Sequence, residues 1–379
     1  MDKITEEISS LEEYISVIKK YDLGNQYLRG ENQKYTGITS SLIRSYKPLE
    51  KDIGLQDIYQ DLLNMYYREV GYKLDKQQEE NFLAFSQHHG LKTNLVDFTT
   101  APLVALYFAC EREKYDADCG FVYVLKKENT VDASKFLRKY SIEEHSCYNV
   151  FEQLAKKDSN IIADFKNLII TYAGILSGKN PHELVNLISC KICQNPELEN
   201  CNLYLKEKTS LQNQLIEKMG KINADLEKIS EDKILTDILL LIEKYVPELN
   251  GMGSSVYINE FVGLLILFLN DLRSCSEKHP AELEFPTIPY FMYKTPLKFD
   301  RIKNQNGIFL YQAFMDYSSD DYDAMNGFMV QKINPDIVIQ IKNQKEIIKE
   351  LEMFGINKRY IYGDFDSTAQ YINKKFFSG

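Results

Sequence analysis

An α+β domain interrupted by a long helical insertion is the fold class that this 379-residue sequence predicts. Three observations predict it. Short apolar runs of strand length alternate with helical periodicity from about residue 20 to residue 125, and the same alternation returns from about 285 to 375. Between them, from about Glu128 to Lys278, glycine and proline are sparse and apolar residues recur three and four apart. The organisation read from this pattern is an N-terminal helix over 1–19, the first part of a domain over 20–125, a helical insertion over 126–284 and the second part of the domain over 285–379.

The elements follow in order. Ile4, Ile8, Leu11, Tyr14, Ile15 and Ile18 are spaced for a helix, with Ser9 or Ser10 able to start a turn. A short strand is expected at Gln26–Gly30. Helical spacing runs from Leu55 through Tyr67 and from Gln77 to Ser86, where Phe82, Leu83 and Phe85 face inward. A loop over His88–Lys92 leads to a strand at Thr93–Asp97 and a turn at Phe98–Ala101. The next helix starts at Pro102, a residue suited to the first helical position because its missing N–H is not needed there. Gly120–Leu125 is an apolar strand. The insertion contributes long helices such as Leu211–Ile229 and Asp232–Tyr245. The chain then returns to strands at Asn306–Phe314 and Pro335–Ile341, a helix at Gln344–Phe354, a last short strand at Tyr360–Tyr362 and a helical end at Ser367–Ile372.

Composition excludes several functions. A 44% apolar and 26% charged chain is ordinary for a globular protein. The net charge of −10 argues against unassisted binding to a nucleic-acid backbone, which depends on Lys and Arg displacing counterions. The first residues lack the apolar core of a secretion signal, and the longest oily run, Phe261–Leu269, is about half of a membrane span. The expected location is the cytoplasm, with no membrane partner. Seven cysteines without even spacing fit reduced thiols. Cys190 and Cys193, with Cys201 and His182 nearby, have some of the ligands zinc requires, but a second CxxC or a histidine pair is missing, so no metal is expected.

Three separated segments hold the polar residues that could bind a ligand. Arg29 ends an apolar strand and is followed by Gly30, which permits a tight turn or close approach of a ligand to the backbone. The stretch Phe85–Ala109 packs His88, Asp97, Thr99 and Thr100 into a strand, a turn and a helix start. Arg301–Phe309 is polar and then strand-like. Each residue also has a structural reading. Arg29 could pair with Asp97 and pin two strands together, because a buried arginine needs a carboxylate. His88 could bond a backbone carbonyl. Asp97 could close a turn, and Thr99 or Thr100 could cap the helix at Pro102.

The second segment resembles the FRG family, a bacterial domain named for a Phe-Arg-Gly motif. It shares the family pattern at Gln87, His88, Gly90, Leu91, Thr93, Leu95, Asp97, Thr99, Pro102, Ala105, Leu106, Phe108 and Ala109. It departs with Leu28 for Phe, His89 for Tyr, Lys92 for Pro, Phe98 for Trp and Asn94 for Arg, the last removing a cation. Arg301, Gln305, Gly307 and Phe309 resemble a later family motif, and Asp364–Asp366 resembles its close.

That order of elements also resembles ADP-ribosyltransferases, which implies an ADP-ribosyltransferase-like mixed sheet core. By this resemblance NAD would be the substrate, Arg29 its phosphate or ribose clamp, Thr99 and Thr100 the brace on the nicotinamide side, and Gln305 would stand where the superfamily has a glutamate. Gly30, Glu31, His88, Asp97 and Arg301 would line the ligand. A glutamine cannot carry the charge that stabilises an oxocarbenium-like centre, which makes Glu31 the substitute carboxylate. The implied function is that of a bacterial defence, anti-phage or toxin-type effector acting as an ADP-ribosyltransferase or an NAD-degrading enzyme, with a protein or nucleic acid as acceptor. The alternative is a non-catalytic module that senses a nucleotide or a phage component. In either case the insertion would offer a surface to a protein partner.

Overall fold

The computed structural model describes residues 4–46, 54–112, 119–141, 148–156, 159–170, 172, scattered positions between 246 and 269, 285–297, 299–317 and 327–377. The helices expected at Leu211–Ile229 and Asp232–Tyr245, and the cluster of His182, Cys190, Cys193 and Cys201, lie outside them. In chain order the described elements are β1 (Ile4–Ile8), α1 (Leu11–Lys20), β2 (Tyr27–Glu31), α2 (Ser41–Ser45), α3 (Leu55–Val70), α4 (Lys76–Glu79), α5 (Phe82–His88), β3 (Leu95–Thr99), α6 (Pro102–Cys110) and β4 (Gly120–Leu125). They continue with β5 (Thr130–Asp132), α7 (Ser134–Ser141), α8 (Val150–Ala155), α9 (Ser159–Ile170), β6 (Tyr290–Tyr293), α10 (Asp300–Asn304), β7 (Gly307–Tyr311), β8 (Phe314–Tyr317), β9 (Gly327–Val330), β10 (Ile337–Ile341), α11 (Gln344–Met353), α12 (Lys358–Tyr362) and α13 (Phe365–Phe377).

The fold is mixed α and β around a large mixed sheet whose strand order is β1-β10-β4-β2-β3-β7-β6-β5. This sheet is two four-stranded halves. β2 runs antiparallel to β4 along its whole length, from Tyr27 opposite Leu125 to Glu31 opposite Phe121. β3 runs antiparallel to β7 along all of its own length, from Leu95 opposite Tyr311 to Thr99 opposite Gly307. Between β2 and β3 a single pair registers, Leu28 opposite Thr99. The halves are joined at that point, and beyond it the facing edges form no ladder.

Side chains alternate between faces along a strand, so the register assigns each one. On one face, Leu28, Val122, Val124, Ile337 and Ile339 pack beneath α1, α6 and α11. The same face of the other half carries Leu95, Phe309, Tyr311 and Phe291 beneath α3, α5, α8 and α9. The opposite face holds Tyr27, Phe98, Phe121, Tyr123 and Leu310, drawn from both halves. Helix α6 is apolar all round because it is enclosed. It lies close on the sheet because Gly30 and Gly120 have no side chain: a Cβ on Gly30 would stand 1.9 Å from the carbonyl oxygen of Ala105, and one on Gly120 would stand 2.0 Å from that of Ala109.

Several local expectations are corrected. Residues 4–8, read as part of an N-terminal helix, form β1 and pair in parallel with β10. Ile4 and Ile8 are four apart, a spacing that suits one face of a strand as well as one turn of a helix, and the free edge of β10 decides between them. The helix starts at Leu11, after Ser10, whose hydroxyl accepts the N–H of Glu13 at 3.2 Å. Tyr360–Tyr362, read as a strand, belongs to α12, which Asn357 caps by accepting the N–H of Tyr360 at 3.1 Å and Gly363 ends at φ 71°. Strand β5 lies within 126–284 yet joins the sheet by pairing in parallel with β6; α7, α8 and α9 follow in the same stretch. Among the described residues no helix is long and apolar enough to cross a membrane, and no group of three or more His, Cys, Asp and Glu could hold a metal.

One buried carboxyl ties the second half together. The N-cap of α3 is Gly54, which has no side-chain oxygen to offer. Asp316, on β8, supplies it by accepting the N–H of Gln56 at 2.8 Å. Burial pushes the Asp316 carboxyl up to about 7, with the charges of Glu152 and Asp57 adding and the backbone N–H of Gln56 opposing. An acid held above its unfolded value keeps its proton in the fold, so stability is full below the unfolded value and falls as pH rises from about 4 through about 7. We expect Asp316→Asn, which keeps an acceptor and loses the charge, to stabilise the protein at pH 8 by roughly 2–4 kcal/mol and to change nothing at pH 4. Thermal melts at the two pH values check this, and an equal effect at both would show that burial of the charge is not the cause.

Candidate functional site

The parting of β2 and β3 is the place where the sequence motifs meet. Alternation puts Tyr27, Arg29 and Glu31 on one face of β2, the face that also carries Phe98 of β3 and Phe121 and Tyr123 of β4. Arg29 stands opposite Tyr123 in the register. Its guanidinium reaches across the gap: Nε donates to Oε1 of Glu31 at 2.9 Å, and Nη1 donates to the backbone carbonyl of Asp97 at 2.9 Å. One arginine thus links the two half-sheets just beyond their single registered pair.

The pair is unevenly satisfied. The side chain of Arg29 is 18% exposed, and Glu31 is 7% exposed. Among the described residues, Oε2 of Glu31 is buried without a hydrogen-bond partner. A buried carboxylate oxygen in that state is costly and is suited to receiving an O–H or N–H donor. Tyr123 shares this environment. Burial pushes its phenol up to about 12, the charge of Glu31 adding and that of Arg29 opposing. Its ring stacks with Phe121 at 6.1 Å and 10°. The arrangement offers a cation, an acceptor oxygen and flat apolar rings on one side of the gap.

The opposite face carries the other motif residues. Asp97 is exposed on β3, at the seam between the two cores of that face. Its carboxylate accepts Nε2 of Gln87 at 3.3 Å, while Oε1 of Gln87 accepts the hydroxyl of Thr93 at 2.6 Å and Thr93 in turn accepts the N–H of Leu95 at 3.1 Å. These bonds fix the loop between α5 and β3, which turns at Gly90 with φ 88°. His88 lies flat on Phe299 at 3.8 Å and 5°. Burial lowers its pKa to about 4, with His89 and Arg301 adding, so the ring is neutral near pH 7. The guanidinium of Arg301 stands 5.4 Å over the ring of Tyr362, whose hydroxyl donates to Glu111 at 2.7 Å.

The three residues expected to be catalytic do not all face one space. Thr99 and Gln305 meet, but through the backbone: the Thr99 hydroxyl donates to the Gln305 carbonyl at 2.6 Å and accepts the N–H of Ala101 at 2.9 Å. The Gln305 amide turns away and donates to the carbonyl of Ile361 at 3.3 Å. Thr100 binds the neighbouring turn, its N–H donating to the carbonyl of Asn306 at 3.2 Å. Arg29 projects from the other face of the sheet. Its carboxylate partner is Glu31, and Asp97 contributes only a carbonyl, so the Arg29–Asp97 ion pair of the alternative structural reading is not formed. Gly30 makes neither a turn nor an approach for a ligand; it sits within β2 under α6.

Tyr123 and Phe121 were missed by sequence reasoning because their strand reads as continuous apolar core. The signal present was the alternation Tyr27, Arg29, Glu31, which marks one face as polar. No curated protein and no solved structure matches the chain. The FRG domain family matches residues 24–118, a span that holds β2, β3, α6 and every motif residue of the first two segments. Of the strands in this sheet only β2 and β3 lie within that span; β4 and β7, which flank them, come from beyond it. The chain therefore carries an FRG domain, with Arg29, Glu31 and Asp97 at the parting of its two half-sheets.

Proposed function

We propose that this FRG domain takes NAD as substrate at the Arg29–Glu31 gap and breaks its nicotinamide–ribose bond, as an ADP-ribosyltransferase or an NAD-degrading enzyme of the kind used in bacterial defence or by toxins. The observation that carries this reading is the pairing, 2.9 Å apart, of a guanidinium with a buried carboxylate that keeps one oxygen unpartnered among the described residues. A guanidinium suits a phosphate because its planar fork makes two charge-assisted bonds. Oε2 of Glu31 would accept a ribose hydroxyl, and the carboxylate charge would stabilise the positive ribose centre that develops as the C–N bond breaks. Nicotinamide leaves with the bonding electron pair. Water, or a nucleophile on a protein or nucleic acid, forms the new bond to ribose and gives up its proton.

Glu31 takes the role here that the family resemblance gave to Gln305, whose amide is engaged by Ile361. That engagement also favours the second reading, a module that binds the nucleotide without turnover. Incubation with NAD and measurement of free nicotinamide separates the two. The enzyme reading expects release, reduced about 100-fold or more by Glu31→Gln with nucleotide binding retained. Saturable binding without release selects the sensing module. Neither binding nor release removes NAD from the function of this domain.

A further inference from the structure

On β4, Tyr123 stands directly across from Arg29, and Phe121 stands across from Glu31. In an antiparallel pair the diagonal neighbour is about 7–8 Å away, within reach of a tyrosine, so Tyr123 and Glu31 share one patch of this face. Neighbours set the place of the ring: Phe121 stacks on it, while Arg29 of β2 and Val338 of β10 stand opposite it in the register on either side. The charge of Glu31 bears on the phenol and adds to burial in keeping its proton on.

Two polar groups of this patch are open. Among the described residues, Oε2 of Glu31 is buried without a hydrogen-bond partner, and the Tyr123 hydroxyl makes no hydrogen bond. A carboxylate oxygen can only accept, and a phenol that keeps its proton donates. A ligand hydroxyl gives one hydrogen and receives another, so it satisfies both groups at once. A phosphate oxygen offers Oε2 no hydrogen and sets a like charge beside it, so phosphate belongs on the guanidinium. We infer that Tyr123 is a specificity-determining residue of the gap, bracketing with Glu31 one hydroxyl of the nicotinamide-side ribose and so selecting a ribosyl over a deoxyribosyl dinucleotide. This rests on the NAD reading and adds to it the second side chain that recognises the sugar.

Titration calorimetry of the full chain with NAD and with two analogues, one lacking the 2-hydroxyl and one the 3-hydroxyl of that ribose, tests the inference. One analogue is expected to bind at least about tenfold more weakly than NAD, because both protein groups then lose their partner. Tyr123→Phe deletes only the phenol oxygen. It should weaken NAD about fivefold, leave the affinity of that analogue unchanged and leave the melting temperature where it is. A hydroxyl with a merely structural role would shift the melt or weaken all three ligands alike, and either result overturns the inference. Two analogues that bind as NAD does, or a Tyr123→Phe variant that binds NAD as the parent does, overturn it as well and leave NAD binding standing. A parent chain that binds no NAD removes the reading beneath, and the inference with it.

Discussion

Arg29→Ala is expected to lower the unfolding free energy by about 2–4 kcal/mol and to abolish nucleotide binding in the same molecule. The two losses share a cause. Removing the guanidinium leaves Glu31, 7% exposed and with one oxygen unpartnered among the described residues, without its counter-ion. It also strips the Asp97 carbonyl of its donor and so loosens the link between the half-sheets beyond Leu28 and Thr99. Alanine at 29 therefore cannot by itself separate a binding role from a structural one. Arg29→Lys can, because lysine keeps the charge beside Glu31 but is a point donor that cannot serve two acceptors in the plane of a fork. We expect Arg29→Lys to recover most of the melting temperature while nucleotide affinity stays at least about tenfold weaker than in the parent. If Arg29→Lys restores both stability and binding, the guanidinium fork has no role in recognition.

Gly30→Ala is expected to cost about 3 kcal/mol or more. The added Cβ would lie 1.9 Å from the Ala105 carbonyl oxygen and 2.8 Å from the Ala109 nitrogen. Both are backbone atoms of α6, so no rotamer change relieves the clash and the helix itself must move. The strand conformation of Gly30 is open to any residue, so the cost comes from space and not from φ. Gly24→Ala supplies the control: nothing stands within 4 Å of its Cβ, and its effect should be within about 0.5 kcal/mol. Chemical denaturation of both variants checks the pair, and a mild effect at Gly30 would mean that α6 is free to lift from the sheet.

What could be read locally was read well where one signal had one meaning. Gly120–Leu125 is a strand over the residues expected of it, and the helix at Pro102 begins where the missing proline N–H costs nothing. Ser10 opens α1, as serine before an apolar period should. The failures have a common form. Ile4 and Ile8 satisfy two periodicities at once, and Tyr360–Tyr362 is too short for either to register. The partner of each segment decided the outcome, and those partners lie far away in sequence, in β10 for the first and in α10 for the second.

The sequence by itself determined the class of fold, the FRG motif and the residue types that could bind an anion, because side-chain chemistry and local period are properties of short segments. Only the tertiary structure decided which of those residues share a space. The register of β2 with β4 turned Arg29 and Glu31 to one face, and the register of β3 with β7 turned Asp97 and Thr99 to the other. A shift of one residue in either pairing would reverse that assignment, since side chains alternate with a period of two. The register follows from contacts between residues as far apart as Thr99 and Gly307, which no window of the sequence contains.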